Sequence, residues 1–431
     1  MSSGRVLIVS YWFPPAGGIA VQRALSLTRY LPDLGFEVHV LTPKNPPAPA
    51  LDPALLSRVP AEVKVHRVWN PMPQSSFRKR LWGLFSRRRA ATAGAVQKNG
   101  VSGGRMAKLV RRVLCPDPEV VWVPFAIRRA RGIIKKYGID TVVVTAPPFS
   151  AFMVGNALKR WMPALRLVSD FRDEWLRFFL ATFEFQQDPH IRQRAELIER
   201  ATVHGSDAVV TVTPSLVGEL STRYADQPAA KFICVPNGYD PAAFADFHAR
   251  PSGSAKVIVS YVGTVYSTTS PSCYFEALDS LPESLRSRVE TRFVGRIASD
   301  QKELVESRPD VKSFGVTPQA VALRHMEETD YLLLIMTDPS HVPGKLYEYL
   351  ATGKPVLAFA PKTSEVARTL AETGGGWCLE FDDQAGIRQC MEALASGELA
   401  TRFHPNQEAI RYYERQRLAA EFAAVLRPVQ T

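Results

Sequence analysis

Short apolar runs alternate with helical stretches along almost the whole chain, and that alternation constrains the fold more than any other feature. The first unit sets the pattern. Residues 5–11 (RVLIVSY) read as a buried strand and 14–18 (PPAGG) as a tight loop, after which Val21, Ala24, Leu25 and Leu31 keep helical spacing. Gly35 ends that helix, and 37–41 begins the next strand. A strand, a crossover helix and a second strand require parallel pairing. Further strands are expected at 63–68, 141–145, 165–169, 208–213 and 232–235, with helices at 127–137, 150–161, 195–204 and within 212–224. A Pro-Asn-Gly-Tyr-Asp break follows at 236–240, and the polar stretch 250–255 (RPSGSA) suits a linker. A second series starts at 257–262, with strands at 289–294, 331–336 and 356–360 and one charged amphipathic helix at 407–426. The expectation is two parallel α/β lobes, 1–248 and 253–405, followed by a C-terminal helix in 406–431.

Size agrees: 431 residues suit two or three domains. The cysteines Cys115, Cys234, Cys273, Cys378 and Cys390 form no C-x-x-C pair and are odd in number. That argues against a disulfide framework or a cysteine metal site, and for a reducing compartment. The first ten residues do not read as a secretory leader. No uncharged apolar stretch reaches the ~20 residues needed to span a bilayer. A cytoplasmic protein is expected, meeting a membrane only as a peripheral partner on its inner face.

The net charge of +11 is a local feature. Residues 63–116 hold thirteen Lys and Arg and no Asp or Glu, so the rest of the chain stands at −2. Within that stretch Phe77, Leu81, Trp82, Leu84 and Phe85 interleave with arginines. Basic and aromatic residues together suit an anionic membrane surface, contacted through residues 77–112. A solvated insertion at about 70–115 is the plainer alternative. No recognisable nucleic-acid motif accompanies the charge, so no nucleic-acid partner is expected.

Three motifs carry chemistry. Gly17 and Gly18 sit between a strand and a helix, where backbone amides attract phosphate and glycine permits close approach. A tight packing turn is the alternative. In 342–356 (VPGKLYEYLATGKPV), Pro343 and Gly344 start a helix, and Lys345 and Glu348 share one face of it. A lysine beside a helix N-terminus makes a diphosphate site, and a carboxylate one turn on can accept from ribose hydroxyls. An intrahelical Lys–Glu pair is the alternative. The third motif, Asp170-Phe-Arg-Asp-Glu-Trp175, follows a strand end. There Asp170 or Asp173 could orient an acceptor hydroxyl and Arg172 could balance phosphate charge, unless an Asp–Arg pair merely fixes the loop.

Taken together, the chain resembles the family 4 glycosyltransferases. The resemblance rests on 345–355 (KLYEYLATGKP), 11–23 (YWFPPAGGIAVQR), 235–240 (VPNGYD) and Gly263–Thr264 after a strand, each at its place in the family order. The pair 145–150 (TAPPFS) and 170–175 (DFRDEW) is similar to the T-x-P-P-x-S and D-F-R-D-x-W pair of a bacterial envelope-polysaccharide branch. The resemblance implies a GT-B fold, with two Rossmann-like lobes facing a cleft and the C-terminal helix returning to the N-terminal lobe. It implies a nucleotide-diphosphate sugar as co-substrate, no resident cofactor, and a glycan or lipid-linked acceptor. Gly17 and Gly18 would approach the donor phosphates, Gly344 and Lys345 would hold the diphosphate, and Glu348 the ribose. Gly263, Thr264 and Arg296 would line the nucleotide pocket. The chain departs from the family in three places. Ser340 stands where many members carry the first of two glutamates, with Asp338 nearby. Val265 and Tyr266 stand where a basic residue is common, and Arg172 near a common histidine.

Family resemblance also implies retention of anomeric configuration. No nucleophile carboxylate announces itself for a double displacement. A front-face route, in which the departing phosphate takes the acceptor proton, fits better. No D-x-D occurs near 208–213, where Asp207 stands alone, so metal-independent transfer is expected. A nucleotide-sugar epimerase of the same fold, a non-catalytic binding subunit and a nucleic-acid binder are the rival readings.

Overall fold

The computed structural model describes residues 4–46, 51–72, 112–179, 188–249 and 253–427. Most of the basic stretch, including 77–111, lies outside the described residues. By internal contacts the chain divides into two units: Met1–Val235 with Ala419–Thr431, and Pro236–Leu418. The division falls at Val235, before the 248 expected from the linker composition.

Unit 1 is built on seven strands: β1 Gly4–Ser10, β2 Phe36–Pro43, β3 Lys64–Val68, β4 Thr141–Ala146, β5 Arg166–Phe171, β6 Ala208–Thr211 and β7 Phe232–Cys234. Their order is β3-β2-β1-β4-β5-β6-β7, with every neighbouring pair parallel. Central parallel strands are covered on both faces, so they need unbroken apolar runs. β4 (TVVVTA) is buried at all six positions. The core joins Leu7, Val9, Val142, Val144 and Leu167 of the sheet to Trp122, Ile133, Phe152 and Leu158 of the covering helices. Gly155 lets the helix Phe152–Trp161 lie close on this sheet: a Cβ there would stand 2.9 Å from Val144 Cγ2 and 3.0 Å from Leu167 Cδ1. Two helices differ from the sequence expectation at their starts. Val123–Tyr137 begins four residues before 127, and Pro189–Gly205 begins at a proline capped by the Asp188 side chain.

Unit 2 repeats the plan with β8 Val257–Val262, β9 Val289–Val294, β10 Val311–Ser313, β11 Tyr331–Ile335, β12 Val356–Phe359 and β13 Gly376–Leu379. The order is β10-β9-β8-β11-β12-β13, again all parallel. β10 and β13 were not expected. They are the two edge strands, of three and four residues, and neither has the long apolar run that marks a central strand.

The single C-terminal helix expected at 407–426 is two helices, Gln407–Arg411 and Arg415–Leu426. The break has a hydrogen-bonding cause. Tyr239 N–H donates to Tyr413 O at 3.0 Å, and Arg415 N–H donates to Tyr239 O at 2.9 Å, so backbone groups a continuous helix would use are taken by a neighbouring chain. Gly238 makes the approach feasible, since a Cβ there would be 2.1 Å from Tyr413 O. Beyond the break Phe422 is buried in unit 1, where the Arg23 guanidinium lies 5.2 Å from its ring centroid.

Each sheet reverses strand order once, between β1 and β4 and between β8 and β11. In open α/β sheets ligands bind outside the carboxyl ends of the strands at such a switch point. The loop after β1 carries PPAGG, TAPPFS spans the end of β4 and the turn after it, and the loops after β8 and β11 carry Gly263–Thr264 and the turn into Gly344–Ala351.

Candidate functional site

The switch point of unit 2 brings the nucleotide-binding candidates together. β8 ends at Val262, and Gly263 turns away at φ +133°, a conformation glycine adopts without strain. Gly295 does the same after β9 at φ +138°, and a Cβ on it would stand 2.0 Å from Gly263 O. The two turns therefore pack backbone on backbone, tied by Gly263 N–H to Val294 O and Val265 N–H to Arg296 O, each at 2.8 Å. Opposite them the helix Gly344–Ala351 starts at Pro343, with no side-chain cap and no acidic residue in its first turn. Its free amide ends carry a partial positive charge.

Lys345 projects from that first turn onto the glycine. Its ammonium is 3.8 Å from the Tyr261 ring centroid, and a Cβ built on Gly263 would meet Lys345 Nζ at 3.4 Å. The intrahelical pair that the spacing allowed does not form: Lys345 and Glu348 make no ion pair, and neither side chain has a hydrogen-bond partner among the described residues. Both keep only part of their surface exposed. Surrounding protein pulls the Lys345 pKa down to about 7, Glu348 only partly opposing it. Burial raises the Glu348 carboxyl, against the pull of Arg415 and Lys345. A half-hidden cation and carboxylate without a hydrogen-bond or ion-pair partner among the described residues suit a polar ligand that supplies the missing bonds.

Sequence reasoning missed the group that fixes this geometry. The Tyr349 hydroxyl accepts from Val262 N–H at 2.8 Å and donates to Val262 O at 3.1 Å, bolting the helix to the end of β8. At helical spacing the tyrosine reads as core, and no sequence signal separates the two roles. The Tyr261 hydroxyl similarly donates to Thr264 O at 3.0 Å, holding the turn on which Thr264 sits. Arg296 lies over the Tyr266 ring and donates to its hydroxyl at 3.1 Å, so it is anchored at the rim of the turn. Asp338 accepts from both the backbone N–H and the hydroxyl of Ser340, each at 3.0 Å, and both residues are buried. That carboxylate is thus engaged within its own loop.

In unit 1 the loop after β1 is held from several sides. Arg67 donates to Pro14 O, Asp52 N–H to Pro15 O, and Arg172 to Ala20 O. Gly18 is exposed at φ +89° with open space around it, and the 3-10 turn Ile19–Val21 runs from it into the helix Gln22–Tyr30. Gly17 is partly exposed beside it.

The D-F-R-D motif is occupied internally. Asp170 is fully buried; it accepts from Arg23 Nη2 at 3.1 Å and from the Thr145 hydroxyl at 2.7 Å. Arg172 is buried and donates to three carbonyls, those of Ala20, Ala146 and Pro147. Its guanidinium clamps the loop after β1 to the loop after β4, and burial lowers its pKa. Asp170 and Arg172 therefore fix the two loops. Asp173 is the carboxylate of the motif that keeps some exposure. The hydroxyl of Ser150 pairs instead with Asp117, whose carboxyl is pushed up by burial and by Glu119. Among the described residues no group of three His, Cys, Asp or Glu side chains gathers at metal-binding distance.

Comparisons with known proteins bear on the family and the fold. A family model described as glycosyl transferase 4-like domain matches residues 17–238, half of the chain. A probable glycosyltransferase WbjE from Pseudomonas aeruginosa is 29% identical over 119 residues, 27% of this chain and 28% of its own length. The chain thus matches under a third of that relative. Among solved structures, sucrose-phosphate synthase from Thermosynechococcus elongatus aligns at a TM-score of 0.64 and 13% identity, covering 98% of both chains. WaaG, a glycosyltransferase involved in lipopolysaccharide biosynthesis, aligns at 0.60 and 17% identity over 98% of this chain and 99% of its own. HepE of Anabaena, solved in complex with UDP-glucose, aligns at 0.60 and 14% identity over 98% and 99%. At these identities the structural likeness speaks for the fold: two Rossmann-like units in one chain, as in GT-B glycosyltransferases. With half of its length matched by that model, the chain belongs to the glycosyl transferase 4-like family.

Proposed function

We propose that the protein transfers a sugar from a nucleotide-diphosphate donor to a glycan or lipid-linked acceptor of a cell-envelope polysaccharide, with retention of configuration. The observation that carries this reading is the Lys345 ammonium over Gly263, without a carboxylate partner among the described residues, at the uncapped start of the helix Gly344–Ala351. Breaking a sugar–diphosphate bond builds negative charge on the leaving phosphate, and a fixed cation with free amides stabilises that charge without reorganising. Glu348, one turn on, takes the ribose hydroxyls. Gly263, Thr264 and Arg296 line the nucleotide pocket of unit 2, and in unit 1 Gly17 and Gly18 offer backbone amides suited to phosphate.

On the acceptor side, Asp173 orients the incoming hydroxyl, while Asp170 and Arg172 position the loops around it. The bond from the anomeric carbon to the phosphate oxygen breaks as the acceptor oxygen bonds on the same face. The acceptor proton passes to the departing phosphate. No metal enters this scheme. Residues 77–112 contact an anionic membrane surface, which brings the enzyme to a lipid-linked acceptor at the cytoplasmic face.

The test is transfer by the purified protein from a panel of nucleotide sugars, with product stereochemistry read by NMR. A product of inverted configuration, or abolition of activity by a chelator, contradicts the mechanism. Sugar isomerisation in the absence of any acceptor would favour the epimerase reading.

A further inference from the structure

The residue after Asp173 in the motif that ends β5 is held from two directions at once. Glu174 is buried and uses both of its carboxylate oxygens. Oε2 accepts from Arg177 N–H at 2.7 Å, and Oε1 accepts from Arg223 Nη2 at 3.0 Å. The first bond caps the wide π-helical turn Trp175–Phe179 that starts directly after it. Such turns are frequent at functional sites. The second bond reaches the last residue of the helix Pro214–Arg223. Arg223 Nη1 donates in turn to Glu199 Oε1 at 2.7 Å, where the Tyr224 hydroxyl also donates at 2.9 Å. Glu199 is buried on the helix Pro189–Gly205, so the loop after β5 is tied to two helices of unit 1.

One guanidinium thus serves two buried carboxylates, and they depend on it differently. Glu199 bonds through Oε1 alone; its Oε2 is buried without a hydrogen-bond partner among the described residues. Burial raises the Glu199 carboxyl against the pull of Arg223, so a neutral side chain is tolerated there. Glu174 needs two acceptor oxygens, and a neutral amide supplies one. On the other side of Asp173, Arg172 is fixed by the carbonyls of Ala20, Ala146 and Pro147. The Trp175 ring stacks on Phe149, at 4.4 Å between centroids and 3° between planes. Asp173 therefore stands between anchored neighbours while its own carboxylate keeps some exposure.

We propose that Glu174 is a positioning residue of the acceptor side: through Arg177 N–H and Arg223 it fixes the backbone that aims the Asp173 carboxylate at the incoming hydroxyl. The proposal rests on the transferase reading, in which Asp173 orients that hydroxyl.

The experiment compares Glu174→Gln with Glu199→Gln in the full chain, two neutralisations of equal size on one arginine. Nucleotide sugars serve as donors and octyl glycosides as acceptors, below the unfolding midpoint of each variant. Glu174→Gln should lower kcat/KM for the glycoside about a hundredfold, the cost of a misplacement of about 1 Å, with KM for the nucleotide sugar unchanged. Glu199→Gln keeps both bonds of Oε1 and should match wild type in both constants. Arg223→Lys puts a point charge in place of a fork that spans two carboxylates, and it should repeat the split seen with Glu174→Gln. It carries the test by itself where Glu174→Gln does not fold. Wild-type kinetics in these folded variants, or donor and glycoside constants that worsen together, would overturn the proposal and leave the transferase reading standing. So would a wild type that is inert towards the glycosides yet stabilised by a nucleoside diphosphate. A wild type neither active nor stabilised would overturn the reading itself.

Discussion

Lys345 is the residue on which the donor site turns, and its ionisation gives a sharp expectation. Burial holds its pKa to about 7 in the ligand-free protein, far below the usual lysine value. A bound diphosphate favours the charged form and raises that pKa. Between the two values binding takes up a proton, so donor affinity should weaken as pH rises above about 7, by up to about tenfold per unit. Calorimetry at pH 8 in buffers of different ionisation enthalpy reads that uptake directly, and Lys345→Ala should abolish it. The same substitution should lower kcat/KM about a hundredfold, taking ~3 kcal/mol for a lost charged contact. Tyr349→Phe is predicted to act through geometry. It leaves Val262 N–H and C=O without their hydroxyl partner, so stability should fall by about 1–3 kcal/mol in denaturant unfolding, with a raised KM for donor.

At the scale of elements, the strand-end turns are the rigid parts. Gly295→Ala puts a Cβ into Gly263 O at a φ of +138°, and both effects oppose folding. The variant should lose at least ~2 kcal/mol in a denaturant melt. Gly18→Ala meets nothing within 4 Å, so only the backbone term of about 1–3 kcal/mol, for φ +89° and ψ −177°, remains. A larger loss for Gly18→Ala than for Gly295→Ala would contradict the packing described here.

These elements also show what a sequence conceals. The central strands were legible because burial on both faces demands apolar runs such as Val142–Val144. β10 and β13 were not, because a short edge strand needs only a neighbour's backbone. The break between Arg411 and Arg415 depends on Tyr239, far away in the chain. Lys345 and Gly263 were readable as a lysine at a helix start and a glycine at a strand end. A loop-fixing role for Asp170 and Arg172 was one of the two readings the motif allowed, but that their partners are Arg23 and three carbonyls was not readable, because those partners are set by the fold rather than by spacing.

At the scale of the molecule, each unit is a doubly wound sheet whose strand order reverses once, and the functional candidates of each gather at that reversal. In unit 2 two carboxyl-end turns and an uncapped helix start enclose an ammonium and a carboxylate that form no ion pair or hydrogen bond among the described residues. A ligand that binds only the folded chain stabilises it by about 2.7 kcal/mol at a hundred times its Kd. The decisive measurement is thermal unfolding of the full chain, wild type and Lys345→Ala, against nucleoside diphosphates and nucleotide sugars. One nucleoside diphosphate and its sugar should raise the wild-type melting temperature and leave Lys345→Ala almost unmoved. A panel without effect on wild type, or one that stabilises both proteins equally, would contradict a diphosphate held by Lys345.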